Sequence, residues 1–475
     1  MEIERVYRPV LAVLFSALLG GCMSTSETFA PVQAVTTPEL GVSPQIIATE
    51  DDAIAAHALT ASLLKAPLTG DAAVRIALLN NKQLQAAYNE LGIARAALIK
   101  GSVPANPVIA IDRTTGGGAL EIERQVLLNI LSIATIPARR EIAMEQLRAT
   151  QMRAAEATLR TAMDARRQYL RAVAASERIV KLQKIKQLTD AGADIAKRLG
   201  ETGGMNKLDQ AREFALAAEL DSEIARARLE EKLERERLIR ALGLWGDQIA
   251  IRWPSQLPSL PRTLRKETDL EGQAIQRRVD LQAARHDLSA LATSLGLTQA
   301  TRFVTDADLL GNRIFDRANT EGGRETARFT KLGLDLEIPL FDFGTARTLD
   351  AEQRYMRAAN LLADKAVKVR SEVREAYIAY QGTYQIARHF DTQLLPLRKT
   401  IQEESLLHYN GMLSDVTALI ADTRAGIITQ MRAVDAKRDF FIAESQLQAA
   451  IVGGGSGVSI GSGTPAVASA EPAGH

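Results

Sequence analysis

A chain of 475 residues that is 46% apolar, 24% charged and only 4% aromatic has the composition of a folded protein whose apolar content comes from Ala and Leu rather than rings. That suits long packed helices better than a thick globular core. Lys and Arg number 58 against 57 Asp and Glu, so no basic field exists to neutralise a nucleic-acid backbone, and one Cys with five His excludes a disulfide scaffold or a Cys-rich metal site.

Arg5 and Arg8 precede an apolar run from Pro9 to Leu19, the n- and h-regions of a secretory signal over residues 1–21. The run is too short to span a bilayer. Leu19-Gly20-Gly21-Cys22 follows and resembles the lipobox of bacterial lipoproteins. The resemblance implies that Cys22 is acylated and becomes the mature N-terminus, and Met23 in place of Asp implies sorting to the outer membrane. No other stretch is a run of about 20 apolar residues, which leaves a β-barrel as the route across a membrane. Residues 22–70, rich in Ser, Thr, Pro and Ala with little periodicity, read as an extended, lipid-anchored segment.

The rest of the chain is duplicated. Leu84-Gln85-Ala86-Ala87 recurs as Leu281-Gln282-Ala283-Ala284, and each copy has a helix, two short β segments, an Ile-Pro (Ile136-Pro137, Ile338-Pro339), a very long helix, a Gly-containing tip and a return helix. The copies cover residues 71–245 and 269–452. A Pro-rich linker, 246–268, joins them, and a Gly/Ser/Ala tail of low complexity, 453–475, is expected to be disordered. The long helices run from about Arg139 to Leu199 and from about Thr345 to His408, roughly 60 residues or ~90 Å each. The return helices show heptad stripes: Ala211, Ala215, Ala218, Ser222, Ala225 and Leu229 in one, Val416, Ile420, Thr423, Ile427, Val434 and Phe441 in the other. Pro396 is expected to bend the second long helix.

The β segments alternate. From Leu120 to Leu131 one face reads Leu120, Ile122, Val126, Leu128, Ile130, with Arg124 the exception; the other carries Glu121 and Glu123. From Lys331 to Leu340, Leu332, Leu334, Leu336, Ile338 and Leu340 oppose Lys331, Gly333, Asp335 and Glu337. This is the apolar-out, polar-in pattern of a membrane barrel wall, and a two-sheet soluble packing shows it too. Weaker partner strands are predicted over Val108–Ile111 and Arg302–Leu309. Four strands per chain cannot close a barrel, since the smallest have about eight, so a barrel requires an oligomer.

Leu332-Gly333-Leu334-Asp335-Leu336-Glu337-Ile338-Pro339-Leu340-Phe341-Asp342-Phe343-Gly344, Asn106-Pro107 and Tyr409-Asn410-Gly411-Met412-Leu413-Ser414, with the duplication and the lipobox, resemble the TolC family of bacterial outer-membrane efflux proteins. The resemblance spans about residues 71 to 452. It implies a mainly α fold with a β-barrel part. Long antiparallel helical hairpins would form an α-barrel tunnel through the periplasm, and four strands from each of three chains a 12-stranded barrel in the outer membrane. It implies a passive export conduit, a homotrimer embedded in outer-membrane lipid, and two partners: a periplasmic adaptor (membrane fusion protein) and an inner-membrane pump. It implies adaptor docking at the tips, Gly204 and Met205 in the first copy and Gly411, Met412, Leu413 and Ser414 in the second, and a barrel lumen lined by Glu121, Glu123, Lys331, Asp335 and Glu337. Where the family pattern has two acidic residues after the second tip, this chain has Thr417 and Ile420. Asp415 and Asp422 lie close by as a candidate tunnel gate.

No catalytic constellation is present: His57, His286, His389, His408 and His475 are dispersed, and the Gly run at 116–118 lacks the Lys of a phosphate loop. No cofactor, metal or nucleic acid is expected. Met205 and Met412 suit apolar knobs at a docking surface better than thioether ligands for a soft metal. The competing reading is a non-pore periplasmic coiled-coil structural or adaptor lipoprotein. Long helices and an anchor fit it equally well, but paired strands with one oily face do not.

Overall fold

The segment expected to be extended is helical in two places. The computed structural model describes residues 25–116, 119–254, 256–264, 268–320, 323–411, 413 and 416–455, so the signal, Cys22 and all but the start of the Gly/Ser/Ala tail lie outside the described residues. Helix α1 (Thr25–Leu40) forms despite Pro31 and Pro38, because Val32 and Leu40 are buried and the Phe29 ring meets Tyr88 edge-on at 4.9 Å. Burial here outweighs the two missing backbone donors. Helix α2 (Glu50–Leu64) starts at a capping box in which Thr49 and Asp52 bond each other's backbone N–H.

Both copies then run through the same elements. The first has α3 (Gly70–Asn80), α4 (Lys82–Gly101), β1 (Val108–Gly116), β2 (Ala119–Asn129), the short α5 (Ile130–Ala134), the unbroken 66-residue α6 (Ile136–Glu201) and α7 (Lys207–Leu242). The second has α8 (Leu270–Arg277), α9 (Val279–Ala300), β3 (Asp306–Thr320), β4 (Gly323–Glu337), α10 (Thr345–His389), α11 (Leu395–Asn410) and α12 (Val416–Val452). The leading helix breaks at the same place in each copy. Asn81 and Arg278, each three residues before its Leu-Gln-Ala-Ala, leave the helical region with ψ of 107° and 116°.

The strands form one antiparallel sheet in the order β1-β2-β3-β4. Their ends differ from expectation for local reasons. The Asn129 side chain accepts the Ser132 N–H at 2.6 Å and starts α5, so Leu131 is helical rather than in the strand. Strand β3 begins at Asp306, not Arg302, and β4 stops at Glu337 because Pro339 cannot donate to a ladder. A π turn over Phe390–Leu394 separates α10 from α11, and the Leu395 N–H reaches back to Phe390 O. This wide turn absorbs Pro396, which in a regular helix interior costs about 3 kcal/mol.

The chain divides into two units, one holding the described residues of Met1–Ile46, Gln83–Ala157 and Arg278–Val367, the other those of Ile47–Lys82, Thr158–Arg277 and Lys368–His475. The first contains the sheet and a small helical core of Leu98, Ala143 and Leu147. The second is built on Leu68, Ile76, Val173, Leu238, Leu242 and Val434, and the Pro-rich linker adds Ile251 and Leu257 to it. In α7 the buried stripe is Leu216, Leu220, Ile224, Ala227 and Leu238. The alanine stripe read from the heptads is exposed instead, since the larger side chains take the core and leave the small ones outside.

The turn from β4 into α10 explains the Pro-Leu-Phe-Asp-Phe-Gly motif. Phe343 and Gly344 are both left-handed, with φ of 51° and 70°. Asp342 accepts the Gly344 N–H at 3.0 Å and the Ala346 N–H at 3.3 Å, capping the helix, while Arg302 donates from Nε to Phe343 O at 2.8 Å. A Cβ on Gly344 would sit 2.4 Å from Arg302 O. Gly344→Ala is therefore expected to cost more than about 2 kcal/mol, from the φ penalty plus the clash, whereas Gly296→Ala in open space within α9 should stabilise by up to about 1 kcal/mol. Thermal melting of the two purified variants checks both.

Candidate functional site

Register gives the sheet two chemically distinct faces. Ile109 pairs with Val126, Leu128 with Leu309, Leu309 with Leu334, and Ala307 with Leu336, so most apolar residues of the four strands share one face, while Val108, Leu127, Leu310, Ile314 and Phe329 stand on the other. The shared face is uncovered: Ile111 is 70% and Leu332 76% exposed. Phe303, Leu340, Phe341 and Phe343 are exposed just beyond the ends of β3 and β4. On the opposite face stand Glu121, Glu123, Lys331, Asp335 and Glu337, as the alternation predicts. Asp112, Asp306, Asp308, Asp316 and Glu325 join them there. Asp112, Asp316 and Glu325 were hidden because β1, β3 and β4 each run farther toward the hairpin turns than the segments read from sequence. Asp335 lies directly across from Asp308 and Glu337 across from Asp306, like-charge pairs that raise the local negative potential. Glu123 accepts a hydrogen bond from the Asn312 side chain, and Asp306 one from Asn129.

The second unit brings the two helix tips together. At the first, Gly203 takes φ 79°, the Gly204 N–H reaches Leu199 O at 2.7 Å, and Asn206 caps α7 by accepting the Asp209 N–H at 2.8 Å. Met205 is half-buried against Leu216, Ile420 and Tyr409, so it closes the junction between the hairpins rather than standing free. At the second tip Gly411 has φ −82°, a conformation open to any residue, and its N–H bonds Leu407 O at 2.9 Å. Among the described tip residues the left-handed turn belongs to Gly203. Leu413 is 77% exposed. Met412, Ser414 and Asp415 lie outside the described residues. Asp422 accepts from the Ser405 hydroxyl, and Ile420 is buried.

Farther along the helices, Arg178 pairs with Glu223 at 2.8 Å and Arg438 with Asp435 and Asp439, each at 2.8 Å, around a cleft of about 240 Å³. Burial pushes the Asp435 carboxyl up against the opposing pull of Arg438 and Arg178. Among the described residues no group of three His, Cys, Asp or Glu side chains is placed to hold a metal ion. No described helix is long and apolar enough to cross a membrane.

No protein-family model and no curated protein sequence matches the chain. Solved structures do. The outer-membrane channel OprN aligns at a TM-score of 0.67 and 15% identity over 92% of this chain and 99% of its own. The outer membrane protein VceC of Vibrio cholerae gives 0.64 and 15% over 84% and 96%, and the MtrE outer membrane channel of Neisseria gonorrhoeae, in its open state, 0.66 and 17% over 80% and 88%. The fold is that of the TolC-type outer-membrane channels.

Within this TolC-type fold, one residue near the tips carries a signal that the sequence did not single out. Glu213 is buried on the core side of α7, where a stripe of Leu and Ile leads a reader to pass over one carboxylate. Burial holds its carboxyl above the ordinary value, and its charge and that of Asp209, after burial, raise the nearby Tyr409 phenol as well. A carboxyl with a raised folded pKa binds its proton more tightly folded than unfolded, so its contribution to stability falls as pH rises through that pKa and stays low at neutral pH. Glu213→Gln should raise the neutral-pH melting temperature by roughly 2 °C and flatten its fall between acidic and neutral pH. Melting curves across that range for both proteins check this.

Proposed function

We propose that the protein is one protomer of a homotrimeric outer-membrane channel, a passive export conduit held to the membrane by acylated Cys22 and joined through a periplasmic adaptor to an inner-membrane pump. The two-faced sheet carries this reading. An exposed apolar face needs lipid, an acidic face opposite it suits a water-filled lumen, and β1 and β4 each leave an edge for a neighbouring copy. Two strands from each of the copies 71–245 and 269–452, in three chains, make a 12-stranded barrel. The exposed alanine stripe of α7 suits close side-by-side packing of helices from neighbouring protomers. A non-pore coiled-coil lipoprotein would leave the two-faced sheet without a role.

Protein extracted in mild detergent should therefore have the mass of three chains and give stepwise conductance in a planar bilayer. A monodisperse monomer that conducts would sink the proposal. Leu334→Arg or Leu336→Arg should cost about 2–4 kcal/mol each where the residue lies at the bilayer midplane, and Asp335→Asn should be mild. Equal tolerance of all three in outer-membrane assembly would mean that the leucines face water or a soluble core.

The tips serve as the docking surface for the adaptor, with Gly204, Met205, Gly411, Met412, Leu413 and Ser414 at their ends and Asp415 and Asp422 as candidate gate residues. The support is the uncovered Leu413 beside a turn that has no side chain at Gly411. Gly411 has the backbone angles of an ordinary residue, so Gly411→Trp should fold and form trimers while losing adaptor crosslinking and export in cells. Export at the wild-type level would refute docking at this tip.

A further inference from the structure

Arg124 interrupts the apolar face of β2, and the register shows that it is not alone. Arg113, Arg124, Arg313, Arg317 and Arg328 all stand on the same face as Ile109, Val126, Leu309, Leu332 and Leu334. They are also segregated along the strands. The ends nearest the helices carry only uncharged residues on this face, whereas the five guanidiniums begin at the Arg124–Arg313 pair and continue toward the two hairpin turns, interleaved with Leu120, Ile122 and Phe315. No Asp or Glu lies on that face anywhere in the paired strands, because all nine carboxylates of the sheet project from the other side. Arg113, Arg124, Arg313 and Arg328 are exposed, and none of the five makes an ion pair among the described residues. Arg328 lies 6.0 Å over the Phe315 ring.

Closing the barrel does not relieve this. The edges that neighbouring copies would join present Ile109, Ile111, Arg113 and Thr115 from β1 and Thr326, Arg328, Thr330 and Leu332 from β4, again without a carboxylate. No described residue of the sheet supplies a counter-charge on this face, which makes a ligand from outside the protein its natural source. The distance from the Gly311–Leu332 pair to the Arg317–Thr326 pair is six residues, ~20 Å along the strand, which separates a hydrocarbon level from a headgroup level.

We propose that these arginines form an outward belt that binds the phosphate groups of a phosphorylated glycolipid in the outer leaflet. The belt rests on the reading of the sheet as a membrane-barrel wall with its helices on the periplasmic side, which puts the hairpin turns outermost. Guanidinium presents two parallel N–H donors to one phosphate, so five per chain, fifteen per trimer, supply the ring of charge-assisted hydrogen bonds that the apolar band below cannot.

The test uses the full-length trimer in detergent micelles, titrated with bisphosphorylated lipid A, dephosphorylated lipid A or inorganic phosphate, and reads the shift in trimer melting temperature. Bisphosphorylated lipid A should raise it, with chelator present, and the other two should not. The shift should be lost in R113Q/R124Q/R313Q/R317Q, reduced but not abolished when the same four residues are Lys, which keeps the charge without the paired donors, and unchanged in K331Q on the opposite face. R124Q alone should weaken lipid affinity by about tenfold, as expected for one charge-assisted hydrogen bond, and decides the matter if the fourfold variant does not assemble. An equal shift with dephosphorylated lipid A, an equal shift with inorganic phosphate, or unchanged affinity in R124Q would each overturn the belt. Conductance in a zwitterionic bilayer free of lipid A separates the two proposals: a channel that conducts but ignores lipid A refutes only the belt, and a chain that neither assembles nor conducts refutes the channel.

Discussion

A β-sheet with two open edges and one uncovered apolar face is not a finished structure. Every N–H and C=O along the outer edges of β1 and β4 lacks a strand partner in the single chain, and in hydrocarbon each such group costs several kcal/mol. Closure into a barrel is the arrangement that removes both edges at once, and three copies of four strands reach a workable number. The rest of the molecule can be understood as what holds four strands from two repeats in one register. The middle pairing, β2 with β3, joins strands from different repeats, so the duplication alone does not supply the sheet.

The anchoring of those strands to helices is asymmetric between the repeats. In the first, Asn129 ends β2 and caps α5, and the Ser132 hydroxyl accepts the Ala105 N–H at 3.1 Å, tying the strand's exit to the segment that precedes β1. In the second, the same task falls to Asp342 and to the two left-handed residues Phe343 and Gly344, with Arg302 bonding across the turn. Both solutions satisfy the backbone groups that a strand-to-helix transition leaves bare. Only the second needs a glycine, because only there does a neighbouring carbonyl occupy the space of a Cβ.

Long-range pattern was legible in the sequence where it repeated. The Leu-x-Leu-x-Leu alternation, the two Ile-Pro steps and the recurrent Leu-Gln-Ala-Ala exposed the sheet, the rods and the duplication, because each is a periodicity that burial or lipid enforces. Features decided by contacts were not legible. Helix α1 carries Pro31 and Pro38 and forms because Phe29 and Val32 find a core, which composition cannot reveal. Strand β3 is legible only as Arg302–Leu309, because Leu310-Gly311-Asn312-Arg313 holds no β-branched residue to extend it, and its partners on both sides carry it on to Thr320. The exposed alanine stripe of α7 has the same heptad spacing as its buried stripe, and side-chain size decides between them. Of the tip residues, the sequence located the turns but not the fact that Met205 and Tyr409 pack into one cluster.

Charge segregation across the sheet does more than decorate two surfaces; it fixes the register. Side chains alternate with a period of two, so a slip of one residue in any strand would carry its apolar and arginine set to the acidic face and its acidic set to the apolar face. For β3 that slip would move Arg313 and Arg317 to the acidic face and Asp306, Asp308 and Asp316 to the apolar one, and Leu309 would lose its place across from Leu334. An Arg or Lys at mid-bilayer costs about 2–4 kcal/mol and a carboxylate somewhat less, so misplacing even two acidic groups costs as much as several apolar contacts gain. A sheet of leucines alone would tolerate such slips, because Leu309 and Leu310 are chemically alike. The alternation of acid and arginine on neighbouring positions makes the correct pairing distinct from every register that is one residue off. The same side chains that would line a lumen and meet a headgroup layer therefore also reject the wrong sheet.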